Sequence, residues 1–296
     1  MTRSFIRKDR TAFKVAIESV LPAVTLHSAL FMTTVAALFL NPWFLLAWVL
    51  VPIPRRHAFF NRPLRTKRNT RHPANRITVV SSNVLWSNER PKAAADRLLS
   101  YHPDILVMVE PASHLASHLP EGNLLTWPVP DGVMTSQVSV WSPHEIEEVG
   151  FAGAGSRRLP IVKVIIGKQI WHVLPVHLQA PTTKRFQRSW ERQIQGLSLS
   201  LSRLPNVDIV CGDFNAALTH WQMRRMIKKS GRAIALSPLK AQRTTWGPSG
   251  IYGVMAIDHV LVSSGVSVGN TKVVKIPGSD HKAIVAHLSK TASHNS

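Results

Sequence analysis

Cysteine is all but missing from this sequence. With Cys211 as the only one, neither an internal disulfide framework nor a zinc cluster built on cysteines can form. Acidic residues are scarce as well: 16 Asp and Glu stand against 36 Lys and Arg, a formal net charge of +20. Such an excess attracts polyanions or anionic lipid. It requires no acidic protein partner, and no protein partner can be inferred. No internal repeat is visible, and the composition is neither collagen-like nor of low complexity. What is present suits a folded body, since 45% of the residues are hydrophobic and 18% charged, unlike a basic disordered tail. At 296 residues, one catalytic domain with an appendage is the simplest organisation.

The charge is unevenly placed. Residues 1–76 hold 13 basic and 2 acidic side chains, and the remainder 23 and 14. Within that first quarter, Ser19–Pro54 runs 36 residues without formal charge and contains the dense apolar stretch Ala29–Ile53, whereas a bilayer core needs about 20. The run reads as a transmembrane or deeply inserted segment. Buried soluble helices are seldom so long and uncharged, and no small-residue cleavage site of a signal peptide follows Ile53. Asn41-Pro42-Trp43 interrupts the run, so one kinked span and a lopsided hairpin both stand. Five basic residues precede it (Arg3, Arg7, Lys8, Arg10, Lys14) and eight follow (Arg55, Arg56, Arg62, Arg65, Lys67, Arg68, Arg71, Arg76). That asymmetry slightly favours the cytoplasmic side of the cell inner membrane for the rest of the chain. The expected organisation is a basic segment and membrane anchor at 1–54, a basic linker over anionic headgroups at 55–76, a catalytic domain at 77–290 and a tail at 291–296.

From Ile77 onward the pattern changes to short β-branched runs. Strands are predicted at Ile77–Ser81, Ile105–Val109, Val138–Trp141, Ile161–Ile166, Ile170–Val176, Val207–Cys211, His259–Val262, Thr271–Lys275 and Ala283–His287. Helices are predicted at Lys92–Tyr101, Phe186–Arg203 and Leu218–Lys229. Trp190, Ile194, Leu197 and Leu201 form one core-facing stripe of the second helix. Adjacent strand pairs mixed with strand and helix units predict packed sheets with helices outside.

Of the 14 carboxylates after Arg76, four follow or border predicted strands. Glu110 ends the run Ile105–Val109 and precedes Pro111, so its carboxylate should emerge at a strand rim, where it suits a hard divalent cation. Gly212-Asp213-Phe214-Asn215 reads as a sharp turn after the strand Val207–Cys211. An acid and an amide presented together can position a water beside a phosphate, although an ordinary Asx turn would look the same. His177 closes Val173–Val176 and could donate a proton to a phosphoryl oxygen. Asp258 lies beside a strand and could hold an imidazole in one tautomer. Ser279-Asp280-His281 stands at the entrance of the last strand, and Asn83 follows the first.

In this order the motifs resemble the endonuclease/exonuclease/phosphatase superfamily, which includes deoxyribonuclease-I-like nucleases, apurinic endonucleases, neutral sphingomyelinases and inositol polyphosphate 5-phosphatases. The resemblance runs from Ile77 to about Leu288. It implies an α/β four-layer sandwich, two mixed β-sheets face to face with helices outside, here preceded by a transmembrane helix or helical hairpin. It also implies a Mg2+ or Mn2+ ion at Glu110, supported by Asn83, with Asp280 as a further metal or water ligand. Asp213 and Asn215 match the pair that orients or activates the attacking water. His281 matches the catalytic histidine, and Asp258 the carboxylate that orients it. His177 matches a phosphate-binding histidine of the deoxyribonuclease-like and sphingomyelinase-like branches, where apurinic endonucleases carry a tyrosine-containing motif. Lys282 is a departure, since small residues or proline are common there.

Attack on a phosphodiester builds negative charge on its oxygens, which a cation at Glu110 would stabilise. Whether Asp213 or the Asp258 and His281 pair takes the water's proton stays open. Lys184, Arg185 and Arg188 follow His177 and suit contacts to a phosphate backbone. Trp246 is expected at the rim of the site, and Lys282 as an added phosphate contact. The expected function is Mg2+-dependent phosphodiester hydrolysis by a membrane-tethered nuclease of low sequence specificity, acting on DNA or RNA. The alternative is a phosphodiesterase or phosphatase of a phospholipid or phosphorylated headgroup. A cytoplasmic nuclease of low specificity would endanger the chromosome, so the orientation argued from charge and the nuclease reading pull apart.

Overall fold

The apolar runs of the sequence become the middle strands of two six-stranded mixed sheets. The computed structural model describes residues 76–111, 114–128, 137–236, 244–247 and 254–290, together with Ser28 and Met32, which are helical and exposed. In chain order the elements are β1 (Arg76–Asn83), α1 (Pro91–Leu99), β2 (Ile105–Val109), a 3-10 turn (Ala116–His118), β3 (Asn123–Trp127), β4 (Val138–Ser142), β5 (Glu145–Ala154), β6 (Arg157–Ile166), β7 (Gln169–His177), α2 (Lys184–Arg203), β8 (Ile209–Asp213), α3 (Trp221–Lys229), β9 (Ala233–Ile234), β10 (Asp258–Val262), β11 (Val266–Lys275) and β12 (Lys282–Lys290). The first sheet is ordered β11-β12-β1-β2-β4-β3 and the second β5-β6-β7-β8-β10-β9.

Strands β2, β4, β8 and β10 are buried at every residue, as continuous apolar runs covered on both faces should be. Across the interface β1 and β2 meet β8, and β4 meets β7. Val79, Val107, Val140, Val173, Cys211 and Val260 thereby share one core. The predicted stripe of α2 is buried, with Trp190, Ile194, Leu197 and Leu201 all inside; each such side chain contributes about 1.5–3 kcal/mol. Thr183 starts that helix by accepting the Phe186 N–H at 3.2 Å on its hydroxyl, a cap that helix-breaking hydroxyl residues supply.

Three strands escape the sequence pattern: β3, β5 and β9. All lie at sheet edges; β3 and β5 meet solvent along much of their length, which weakens alternation, and β9 is two buried residues, too short to show a pattern. β5 carries Glu145, Glu147 and Glu148 and a register shift between Glu148 and Gly150, so its text looks like a loop. The expected turn at Gly212-Asp213 is also corrected. Both residues remain in β8, paired with His259 and Asp258 of β10, and the chain leaves the sheet only afterwards. Gly212 permits this: its φ is +137°, and a Cβ there would stand 2.0 Å from the Val176 carbonyl oxygen of β7. Gly212→Ala is therefore expected to destabilise the protein by more than about 3 kcal/mol, checked by chemical denaturation.

Among the described residues no helix is long and apolar enough to cross a membrane. The apolar run, the linker before Arg76 and the tail at 291–296 lie outside the described residues, Ser28 and Met32 apart.

Each sheet has one parallel pair, β1 with β2 and β7 with β8. Their C-terminal ends meet at one end of the sandwich, where Asn83 Nδ2 donates to Asp213 Oδ2 at 3.3 Å. At the opposite end Lys290 Nζ of β12 donates to Asp208 Oδ2, just before β8, at 2.8 Å.

Candidate active site

Six strand ends carry the reactive groups: the ends of β1, β2, β7 and β8 and the starts of β10 and β12. Asn83 ends β1 and Glu110 follows β2, and Asn83 Nδ2 donates to Glu110 Oε1 at 3.1 Å as well as to Asp213. His177 ends β7 directly beside Asp213 of β8, with its Nε2 3.5 Å from Glu110 Oε1. Asp258 opens β10, pairs with Asp213, and accepts from His281 Nδ1 at 2.9 Å. His281 Nε2 then lies 3.9 Å from Asp213 Oδ2, close enough for Coulomb attraction and too far for a hydrogen bond. Asn83, Glu110, His177, Asp213, Asp258 and His281 thus form one connected constellation.

The backbone around it is strained where function needs side chains aimed. Glu110 and Asn215 hold positive φ values of 51° and 47°, costly conformations for residues with a Cβ. Hydrogen bonds enforce both: Glu110 N–H donates to Gln137 O at 2.9 Å. The Asn215 N–H donates to Asp213 Oδ1 at 2.7 Å and its Nδ2 to Leu178 O at 2.9 Å. Asn215 consequently fixes the Asp213 carboxylate and ties it to the strand that carries His177.

Burial sets the charge states. Glu110 is raised from the ordinary carboxylate value chiefly by burial, and Asp213 is pushed up to about 8 by burial and by the neighbouring Asp258. Burial works against a charged His281, yet Asp258, Asp213 and Asp280 outweigh it and lift the imidazole to about 10. His177 goes the other way: burial, then Arg157 and His281, lower it to about 3. Its contact with Glu110 is therefore made by a neutral ring at neutral pH and is no ion pair.

These shifts set a pH dependence. A carboxyl with a raised pKa binds a proton in the folded state that the unfolded state has lost, so Asp213 makes stability fall between about pH 4 and 8. A raised histidine adds stability below about pH 6.5 that disappears as pH rises through about 10. Both act in the same direction, and the metal-free protein is expected to melt at a lower temperature at pH 9 than at pH 6, read by differential scanning calorimetry in chelator. An equal or higher melting temperature at pH 9 would contradict the assignment.

Other expected residues take varied places. Asp280 Oδ2 accepts from Trp246 Nε1 at 2.8 Å, and the Trp246 ring stands edge-on to His281 with centroids 6.5 Å apart. Trp246 thereby braces Asp280 and His281, with its indole N–H already engaged. Lys282 Nζ donates to Thr244 O at 3.2 Å. Lys184, Arg185 and Arg188 are exposed on the first turns of α2, which the chain reaches soon after leaving His177. Three supporting residues carried no legible role in the sequence. Ser279 Oγ donates to Asn83 O at 2.9 Å and accepts the His281 N–H at 3.0 Å, joining the first and last motifs. Thr245 Oγ1 accepts the N–H groups of Ile257 and Asp258 at 3.1 and 3.0 Å. Buried Arg157 donates to His177 O at 2.8 Å. Only the adjacency of Ser279 to Asp-His could have signalled any of these.

The site's chemistry fits a hard divalent cation. Glu110, Asp213, Asp258 and Asp280 gather around one imidazolium, and the Asp280 Oδ1 and Asp258 Oδ1 atoms are buried without a hydrogen-bond partner. Ligand atoms of Asp213, Asp258 and His281 also lie within 4.8 Å of one another. His281 Nδ1 is committed to Asp258, so that trio is the poorer set for holding an ion. The oxygens of Glu110, Asp213, Asp280 and the Asn83 amide are the better donors for Mg2+ or Mn2+.

Residues 80–281 match the sequence profile of the Endonuclease/Exonuclease/phosphatase family. Comparison with curated proteins gave no match. Among solved structures, an endonuclease/exonuclease/phosphatase family protein from Bacteroides thetaiotaomicron is 15% identical with a TM-score of 0.60, over 75% of this chain and 97% of that one. The mannosyl-6-phosphatase of the same organism is 16% identical with a TM-score of 0.59, over 72% and 99%. TDP2 of D. rerio, complexed with single-strand DNA product, is 17% identical with a TM-score of 0.56, over 73% and 99%. At these identities the likeness is one of fold.

Proposed function

Because the chain belongs to the endonuclease/exonuclease/phosphatase family, whose members hydrolyse phosphoester bonds with a divalent metal, we propose that it is a membrane-tethered nuclease of low sequence specificity that cuts DNA or RNA. One observation carries the chemistry: Asn83, Glu110, Asp213, His281 and Asp258 are linked within 4 Å steps at the facing ends of two parallel strand pairs. A substrate of phosphodiester type is supported by Lys184, Arg185 and Arg188, exposed on the first turns of α2 soon after His177, and by the net charge of +20, which suit a backbone of repeated phosphates. The tether rests on the uncharged run Ser19–Pro54 and its flanking charges, which favour a cytoplasmic catalytic domain.

The residues divide the work. Glu110, with Asn83 and Asp280, would hold the cation, which when bound stabilises negative charge on the phosphoryl oxygens. Protonated His281, oriented by Asp258, offers its Nε2–H to a nonbridging or leaving oxygen. Neutral His177 offers a second N–H without adding charge. Asp213, fixed by Asn215 and Asn83, faces His281 with an oxygen that can orient or deprotonate the attacking water.

A lipid or phosphorylated headgroup is the second reading, favoured by the apolar run itself. The test is full-length protein in detergent, offered plasmid DNA, RNA and phospholipid panels with Mg2+ and with chelator. Metal-dependent nicking of nucleic acid is the expected result, and headgroup release without nucleic-acid cutting would replace the first reading by the second.

A further inference from the structure

The sandwich has two ends, and the chain enters at the one without the site. β1 begins at Arg76, paired with Ser289 of β12, and reaches Asn83 after 8 residues, about 25 Å away. The same far end collects basic side chains from separate elements. Lys168 occupies the exposed turn joining β6 to β7, opposite His177. Arg203 closes α2, and Lys228 and Lys229 close α3. Ser202 Oγ donates to Lys229 O at 3.4 Å, which brings the two helix ends together. Beyond α3 the chain passes into β9, whose Ala233 pairs with Val262, the end of β10 away from Asp258.

The acids of this end do not cancel the charge. Asp208 accepts from Lys290 at 2.8 Å, and Asp104 accepts from Thr78 N at 2.7 Å and faces His144. Exposed Glu121 lies beside β3 in the other sheet; exposed Glu145 pairs with Ile165 near the β6–β7 turn and offsets one charge, which leaves Lys168, Arg203, Lys228 and Lys229 in excess on the flank formed by α2, α3 and that turn. Exposed Ile170 and Leu199, 47% and 57% accessible, lie at the start of β7 and on α2. Cations at helix C-termini complement the helix dipole, which accounts for Arg203, Lys228 and Lys229 but not for Lys168 or Arg76.

We propose that this end of the domain docks on an anionic bilayer surface and holds the active site directed away from it, toward soluble substrate. The proposal rests on the membrane tether of the proposed function. The linker at 55–75 holds seven basic residues and no acid, a composition that suits the same kind of surface. Its extended length of about 70 Å would let the domain tumble freely. A fixed orientation therefore depends on the charged flank, through attraction that acts within a Debye length of the lipid. Nucleic acid would also meet these charges, but about 25 Å from the reacting groups, which favours the bilayer as the occupant.

The experiment uses the full chain reconstituted in vesicles. Cys211 is buried, so a fluorophore goes selectively onto Lys168→Cys or Lys184→Cys, with an acceptor dye on lipid headgroups. In phosphatidylserine-containing vesicles the Lys168→Cys label is expected to transfer more energy than the Lys184→Cys label. That difference should be lost in phosphatidylcholine vesicles, in high salt, and in Lys228→Glu/Lys229→Glu protein, which still hydrolyses soluble substrate. Equal transfer from both labels, or more from Lys184→Cys, overturns the orientation while leaving the tether intact. Failure of the protein to float with any vesicle overturns the tether, and the docking with it. Loss of oligonucleotide binding in Lys228→Glu/Lys229→Glu protein without any change in transfer assigns the flank to nucleic acid and also overturns the proposal.

Discussion

Asp213→Asn protein is expected to lose hydrolysis by about 10³-fold or more, yet to melt no lower than the parent in chelator at neutral pH. The two effects share a cause. Asp213 is 2% exposed, and burial together with Asp258 pushes its pKa up to about 8, so its negative charge is disfavoured in the fold. An amide keeps the acceptor for the Asn215 N–H and removes the group whose charge burial disfavours; the Asn83 contact is lost, because two amide donors would then face each other, as is the attraction to His281 across 3.9 Å. His281→Ala should lose activity on a similar scale but also stability, by about 1–3 kcal/mol, since Asp258 would be left buried without its partner. If the two groups act as a unit, the double variant is no slower than the worse single one. Steady-state turnover and thermal unfolding on the same preparations check all three. Near-normal turnover of Asp213→Asn would falsify the assignment.

Removal of divalent ions is the second large effect. Chelator is expected to abolish turnover, and Mg2+ or Mn2+ to restore it. Glu110→Gln should raise the metal concentration for half-maximal activity by about tenfold or more. The amide retains an acceptor for Asn83, so the fold should survive. Binding has a readout apart from turnover: a cation that binds only the folded state raises the melting temperature, and Glu110→Gln should blunt that rise. Full activity in chelator, or an undiminished metal-induced rise in Glu110→Gln, would remove Glu110 from the ligand set.

The sequence by itself determined the central strands, the buried stripe of α2 and the order of the motifs. Each of these follows from local chemistry: strands buried on both faces are written as unbroken apolar runs, and a rim residue is announced by where such a run stops. Glu110, His177 and Asp213 were legible for that reason. The edge strands β3 and β5 were not, because much of their surface faces solvent and imposes no alternation, and β9 was not because two buried residues are too few to show a pattern. Only the tertiary structure decided that β8 continues through Asp213, since that depends on how closely Val176 of the neighbouring strand approaches Gly212. It alone placed Ser279 between Asn83 and His281, two residues 198 positions apart in the chain. Trp246 is the instructive case. Its aromatic ring suggested a surface contact, but its N–H is directed at Asp280. A side chain's role depends on which partner its polar atom meets, and for residues distant in sequence that meeting exists only once the two sheets are packed.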